Sequence, residues 1–363
     1  MLAPQVDEAL GGLGVGRLRF LVGQGLQLFS GFEQQFLHDE PRDFVHPRAG
    51  VLYALAVPNN KSAREGIVML LRFASLAFAV IVGSAQFAHA AEMPQFEVDK
   101  AWPKVPAKWK LGDVSSIAID AQDNVHVLHR PRTLHADEKG RNRNPPTNRC
   151  CQSAPPVIEY DANGNTVRGW GGPGQGYDWP AQEHGIHVDS QGFVWISGNE
   201  TTDHHLLKFT REGKFILQIG KPGKSEGSNS RTQLGQPAAI ESDAAANEIY
   251  VGDGYGNKRV IVFDSETGAF KRMWGAYGNV PQDIPKSQFK YDPDAPPNQQ
   301  FSNPVHCVKI THDDLVYVCD RVNDRIQVFK KDGTFVREQF IAPKTRGFGS
   351  VHDIGFSGDP GQK

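Results

Sequence analysis

Three histidines in this 363-residue chain share one local setting: Glu183-His184-Gly185-Ile186, Val305-His306-Cys307-Val308 and Val351-His352-Asp353-Ile354. Each opens a short alternating apolar run. A neutral imidazole is a good zinc donor, and three histidines leave a fourth position open to substrate. One such histidine alone is only a polar side chain tolerated in a wet place, whereas a matched set points to a metal. Arg130, Tyr255 and Arg321 each stand at the end of a further apolar run. An arginine can fork onto a carboxylate, and a tyrosine phenol beside a metal and an arginine can act as a base. The remaining histidines, His126, His129, His135, His187, His204, His205 and His312, receive no role, and the pair His204-His205 reads as a solvated loop.

These residues converge only if the chain repeats one unit. After residue 110 it does. A half-apolar strand is followed by a polar turn and a second strand, then by a third strand, an Asp/Gly turn and a fourth. Copies run over 114–170, 184–217, 239–270 and 305–336, and a fifth begins at 351–356. Alternation of period two between Gly/Asn/Asp turns is the strand signal, and a repeated four-strand unit is a propeller blade. The predicted fold is therefore an all-β propeller. A β-sandwich has no reason to repeat one unit with the same closing hairpin. Gly164, Gly213, Gly268 and Gly333 keep one place in that hairpin, where the turn needs positive φ. The innermost strands line the channel, so His184, His306 and His352 share a position that Ser116 fills in the first blade and Ala238 or Ala239 in the third. Two long proline-rich insertions, 131–155 and 276–300, lack strand rhythm and are candidates to meet a protein partner.

Charge is nearly balanced, with 39 basic and 41 acidic side chains, so nucleic acid is not an expected partner. Glycine (38) and proline (24) are frequent, which suits many short strands and tight turns. Met69-Leu70-Leu71-Arg72 followed by an apolar run to residue 82 and by Ala88-His89-Ala90 reads as a signal peptide over 69–91. The run is too short to span about 30 Å of hydrocarbon. Residues 1–68 then read as an artefactual or disordered extension, 92–363 as the propeller, and the product as secreted or periplasmic with no membrane span after cleavage. Cys150, Cys151, Cys307 and Cys319 show no zinc-ribbon spacing, and a Cys307–Cys319 bridge depends on strand register.

The runs 253–260 and 320–326, with Asp ending the second strand and Arg-Val or Arg-Ile opening the third, resemble the NHL repeat. From Glu97 to about Lys344 the chain is similar to the propeller domain of peptidyl-α-hydroxyglycine α-amidating lyase. The shared runs are 114–120 with 128–130, 183–186 with 194–195, 236–237 with 253–259, and 303–306 with 320–326. The resemblance implies a six-bladed ring, of which four blades and the start of a fifth precede residue 363. It implies zinc on His184 and His306, a third zinc histidine in a sixth blade with His352 ranked below it, and Tyr255, Arg130 and Arg321 as catalytic residues. It also implies structural calcium on the backbone carbonyls of Ile117 and Ile186. Two cysteines of that family are here Leu234 and Gly256. The expected activity is a metal-dependent lyase that cleaves a peptidyl-α-hydroxyglycine to an amide and glyoxylate. One alternative is a non-catalytic NHL propeller that binds a protein or peptide. A second, a calcium-dependent lactonase-like hydrolase, would place Glu, Asp and Asn in the channel where this chain has His, Tyr and Arg.

Overall fold

The computed structural model describes residues 97–357 except Asn148 and Cys150, together with Arg17–Leu18 and Gln362. The signal segment 69–91 lies outside the described residues, as does the extension 1–68 apart from Arg17–Leu18. The described residues belong to one compact unit, and none of their helices is long and apolar enough to cross a membrane.

Four antiparallel four-stranded sheets follow one another along the chain. Blade one comprises β1 (Asp113–Ile119), β2 (Val125–Arg130), β3 (Val157–Tyr160) and β4 (Thr166–Trp170). Blade two comprises β5 (Glu183–Val188), β6 (Val194–Gly198), β7 (His205–Phe209) and β8 (Phe215–Gly220). Blade three comprises β9 (Ala239–Asp243), β10 (Glu248–Asp253), β11 (Arg259–Asp264) and β12 (Phe270–Trp274). Blade four comprises β13 (Val305–Ile310), β14 (Leu315–Asp320), β15 (Arg325–Lys330) and β16 (Phe335–Phe340). Strand order within each sheet is the order in sequence, and the first strands of successive blades are neighbours. The fold is a β-propeller.

The middle strands are apolar on both faces because both faces are covered. Successive strand side chains point to opposite sides. On β10, Ile249 and Val251 pack with Trp195 and Leu206 of blade two, while Tyr250 packs with Val308 and Phe329 of blade four. On β6, Val194 and Ile196 join Leu128 and Val157 of blade one, and Trp195 faces blade three. The hairpin glycines also join the blades. Gly213 (φ 85°) turns against Trp170 of the preceding blade, and a Cβ there would stand 2.6 Å from the indole. Gly333 (φ 90°) meets Trp274 in the same way.

Several sequence expectations are corrected. Residues 351–356 form no strand; Val351 and Ile354 instead pack over Cys307 and Cys319 on the face of blade four. The Cys307–Cys319 bridge, which the sequence left open, does form: the two residues lie directly across β13 and β14 with Cα atoms 4.8 Å apart. His204 and His205 are not solvated: both are buried, His205 opens β7, and its Nε2 donates to the Asp178 carbonyl at 2.6 Å. The insertion 131–155 carries a short strand, Gln152–Ser153, paired in parallel with Trp109–Lys110, and two 3-10 turns.

Candidate active site

The inner strands carry a repeated irregularity that aims the site. In β13, Val305 pairs with Asp320 and Cys307 with Cys319, so His306 is an extra, unpaired residue. In β5 the register shifts between Ile186 and Glu183, where His184 and Gly185 together oppose Ser197. In β1, Val114 pairs with His129 and Ser116 with Leu128, which leaves Ser115 as the extra residue. The first blade's equivalent of the two histidines is therefore Ser115, not Ser116: counting along the sequence cannot reveal a bulge. A β-bulge re-aims one side chain without disturbing the rest of the hairpin. The ladder of β9 is regular, and blade three contributes no inner-strand ligand, only Ala238 and Ala239.

Tyr255 comes from the loop between β10 and β11. Buried Asp253 organises that loop, accepting from Gly235 N (2.7 Å), Asn257 Nδ2 (2.8 Å) and Arg259 Nε (2.9 Å). Gly254 lets the loop lie against β13, since a Cβ there would stand 2.2 Å from the Val305 carbonyl oxygen. Asp320 does the same work in blade four, accepting from Ser302 N, Asn323 Nδ2 and Arg325 Nε at 2.9, 2.7 and 2.8 Å, and so fixes the turn that carries Arg321.

These elements bring four of the expected residues together. The Tyr255 phenol oxygen lies 2.8 Å from His184 Nε2 and 2.9 Å from His306 Nε2, and Arg321 Nη1 approaches it at 3.5 Å. The two imidazole centroids are 5.5 Å apart. Burial pushes His184 down to about 3, helped by the positive charges of Arg130 and Arg321. Burial likewise lowers His306 to about 4. Both rings are therefore neutral near pH 7.

The proton positions follow. His306 Nδ1 lies 2.5 Å from the His352 carbonyl, which can only accept, so Nδ1 carries the hydrogen and Nε2 a bare lone pair. Tyr255 then donates to His306, and His184 Nε2 donates to Tyr255. His184 Nδ1 is buried and finds no hydrogen-bond partner outside its own backbone. Moving its proton from Nε2 to Nδ1 would give up the hydrogen bond to Tyr255, displace no partner at Nδ1, and free the Nε2 lone pair for a cation. Two neutral imidazoles whose Nε2 atoms converge on one point, one of them oriented by a carbonyl behind it, fit a divalent cation of the zinc type.

Arg130, the last residue of β2, donates through Nε to the carbonyl of Glu183, next to His184, at 2.8 Å. Among the described residues neither Arg130 nor Arg321 has a carboxylate partner, and Arg321 Nε is buried without an acceptor. Unpaired guanidinium donors beside a neutral site suit an anion. His352 is exposed, with its ring 5.8 Å from that of His306, and it serves His306 through its carbonyl. Ile117 and Ile186, the residues expected to offer carbonyls to calcium, pair with Val127 and Ile196 within β1 and β5.

A separate cluster escaped the sequence reading. Asp120, His126 and Glu159 bring possible ligand atoms within 4.8 Å of one another, close enough to hold an ion. Arg211 already supplies positive charge there, with Nη2 2.9 Å from Asp120 and 2.5 Å from Glu159, and Arg168 Nε lies 2.9 Å from Glu159. We read this group as an ionic clamp between blades one and two. Phe348, exposed and 5.9 Å from the Arg321 guanidinium, also went unread, because a lone aromatic in a glycine-rich loop has no periodicity to mark it.

No family model matches the chain. Its relatives include peptidyl-α-hydroxyglycine amidating lyases and NHL repeat-containing proteins. Peptidyl-glycine alpha-amidating monooxygenase B of Xenopus laevis is 28% identical over 246 residues, which cover 67% of this chain and 25% of that protein. NHL repeat-containing protein 3 of Mus musculus is 26% identical over 66% of this chain and 58% of its own length. Peptidyl-alpha-hydroxyglycine alpha-amidating lyase 2 of Drosophila melanogaster is 26% identical over 65% and 52%. The chain thus spans a quarter of the first of these relatives and little over half of the other two. Among solved structures, streptogramin B lyase aligns with 66% of this chain and 57% of its own at 14% identity, with a TM-score of 0.38.

Proposed function

We propose that this propeller is an exported carbon–nitrogen lyase that cleaves a peptidyl-α-hydroxyglycine to a peptide amide and glyoxylate. The observation that carries the reading is the Tyr255 phenol held 2.8 and 2.9 Å from two neutral imidazoles, with Arg321 beside it. The sequence similarity to amidating lyases and the unpaired guanidinium donors support it.

His184 and His306 would hold zinc, which polarises a substrate's hydroxyl and carbonyl oxygens as a Lewis acid. Arg321 or Arg130 would bind the substrate's carboxylate. Tyr255, once its own proton has passed to water, takes the proton of the α-hydroxyl as a phenolate. As the C–O bond becomes a carbonyl, the C–N bond breaks, and the departing nitrogen takes up a proton to become the amide. The Ile117 and Ile186 carbonyls would hold a structural calcium. The signal at 69–91 would deliver the protein to the periplasm or the outside.

Purified protein should bind zinc stoichiometrically and release glyoxylate from an N-acyl α-hydroxyglycine. His184→Ala or His306→Ala should lose the zinc. Tyr255→Phe should keep it and lose turnover by about 10²–10⁴-fold, since only the phenol oxygen is removed. Unchanged zinc content in both histidine variants, with no glyoxylate from the parent protein, would favour a propeller that only binds a peptide or protein.

A further inference from the structure

Arg321 lies within cation–π range of two rings. Its guanidinium carbon is 5.8 Å from the centroid of Tyr255 and 5.9 Å from that of Phe348. Phe348 is 78% exposed, the most exposed large apolar side chain among the described residues.

Its backbone is not loosely held. Phe348 stands between Gly347 (φ 77°) and Gly349 (φ 79°), and a Cβ on Gly349 would stand 1.9 Å from the Arg321 carbonyl oxygen. The next residue, Ser350, donates its N–H to buried Asp324 at 2.7 Å and its hydroxyl to the Ile341 carbonyl at 2.5 Å. The loop is thus pressed onto the residue that carries the site's guanidinium, while one ring is left in water. Single exposed apolar side chains are ordinary on protein surfaces. This one differs in being fixed against a functional arginine.

We propose that Phe348 is a specificity-determining residue for the reaction proposed above, receiving an apolar or aromatic side chain from the residue that precedes the α-hydroxyglycine. The inference rests on that reading of the site. One extended residue spans about 3.5 Å, so a substrate whose carboxylate is gripped by Arg321 has its preceding side chain within reach of the neighbouring ring. An apolar side chain gains by leaving water there. Glycine has nothing to place, and an acidic side chain gives up hydration for no apolar gain.

Phe348 could instead do no more than steady Arg321, and the two roles separate in the kinetics. N-acyl-X-α-hydroxyglycines with X = Phe, Leu, Gly and Asp are compared by glyoxylate release. The parent protein should favour Phe and Leu over Gly in kcat/KM by about tenfold, the effect of half-burying one such side chain. Phe348→Ala should collapse that ratio to about one, and Phe348→Leu should keep most of it. An equal loss for all four substrates would make Phe348 a support for Arg321 and overturn the proposal, as would a preference that survives Phe348→Ala. Release from the X = Gly substrate tests the lyase reading independently of Phe348. No release from any substrate overturns both.

Discussion

At the scale of single residues, the molecule spends several buried histidines as neutral hydrogen-bonding parts. His129 is the plainest. It is fully buried, its Nδ1 accepts from Gly112 N at 3.1 Å, and its Nε2 donates to the Pro155 carbonyl at 2.9 Å. It thereby ties the start of β1 and the end of the first insertion to β2, one residue before Arg130. Burial lowers its pKa from 6.5 to about 4. A folded-state value below the unfolded one means that the unfolded chain takes up the proton first. Stability from this group is therefore full above pH 6.5, falls as pH drops toward 4, and is level below that. The loss amounts to about 3 kcal/mol at most. Urea unfolding at pH 7 and pH 5 should show a smaller decline for His129→Gln than for the parent; equal declines would assign the acid sensitivity to other groups.

At the scale of elements, a buried aspartate that ends the second strand of blades three and four sets the loops of Tyr255 and Arg321. Asp253 with Arg259 and Asp320 with Arg325 are ion pairs with no exposed side-chain surface. Removing one partner of such a pair leaves a buried charge and costs about 3–5 kcal/mol. Asp253→Ala should therefore lower stability by that order and displace Tyr255. Asp253→Asn, which keeps the shape, should cost less in stability but still reduce turnover, measurable by denaturation alongside glyoxylate release. Much of this level was legible in the sequence. Unbroken apolar runs marked the middle strands, which are buried on both faces, alternation marked the half-buried inner and outer strands, and Asp…Arg-Val or Arg-Ile marked the loops of Tyr255 and Arg321. What escaped depended on pairing across strands. The bulge at Ser115, the Cys307–Cys319 bridge and the burial of His204 and His205 are set by a partner strand, and a single line of residues does not display its partner. Residues 351–356 have the alternation of a strand but pair with no strand among the described residues, so pattern alone was not enough.

At the scale of the whole molecule, each blade leans on the next, and contacts between neighbours carry stability in a repeat architecture. The clamp formed by Arg211 of blade two on Glu159 and Asp120 of blade one is one such contact. Arg211→Ala should cost about 1–3 kcal/mol, less than a fully buried pair because the guanidinium is 28% exposed and Arg168 still faces Glu159. Hydrogen exchange should quicken in β1–β8 and stay as it was in β13–β16; a uniform rise would show that the blades melt as a single unit. The bulges have a consequence of their own. His184 and His306 owe their aim to one surplus residue in an otherwise regular strand, and β9, which has no surplus, offers no ligand. A single codon gained or lost in an inner strand can thus give or take a channel-facing side chain while the hairpin, the blade faces and their neighbours stay in register. In such an architecture, chemistry can be acquired and discarded by insertion and deletion faster than the scaffold changes, and near relatives with intact blades can differ in whether they catalyse anything.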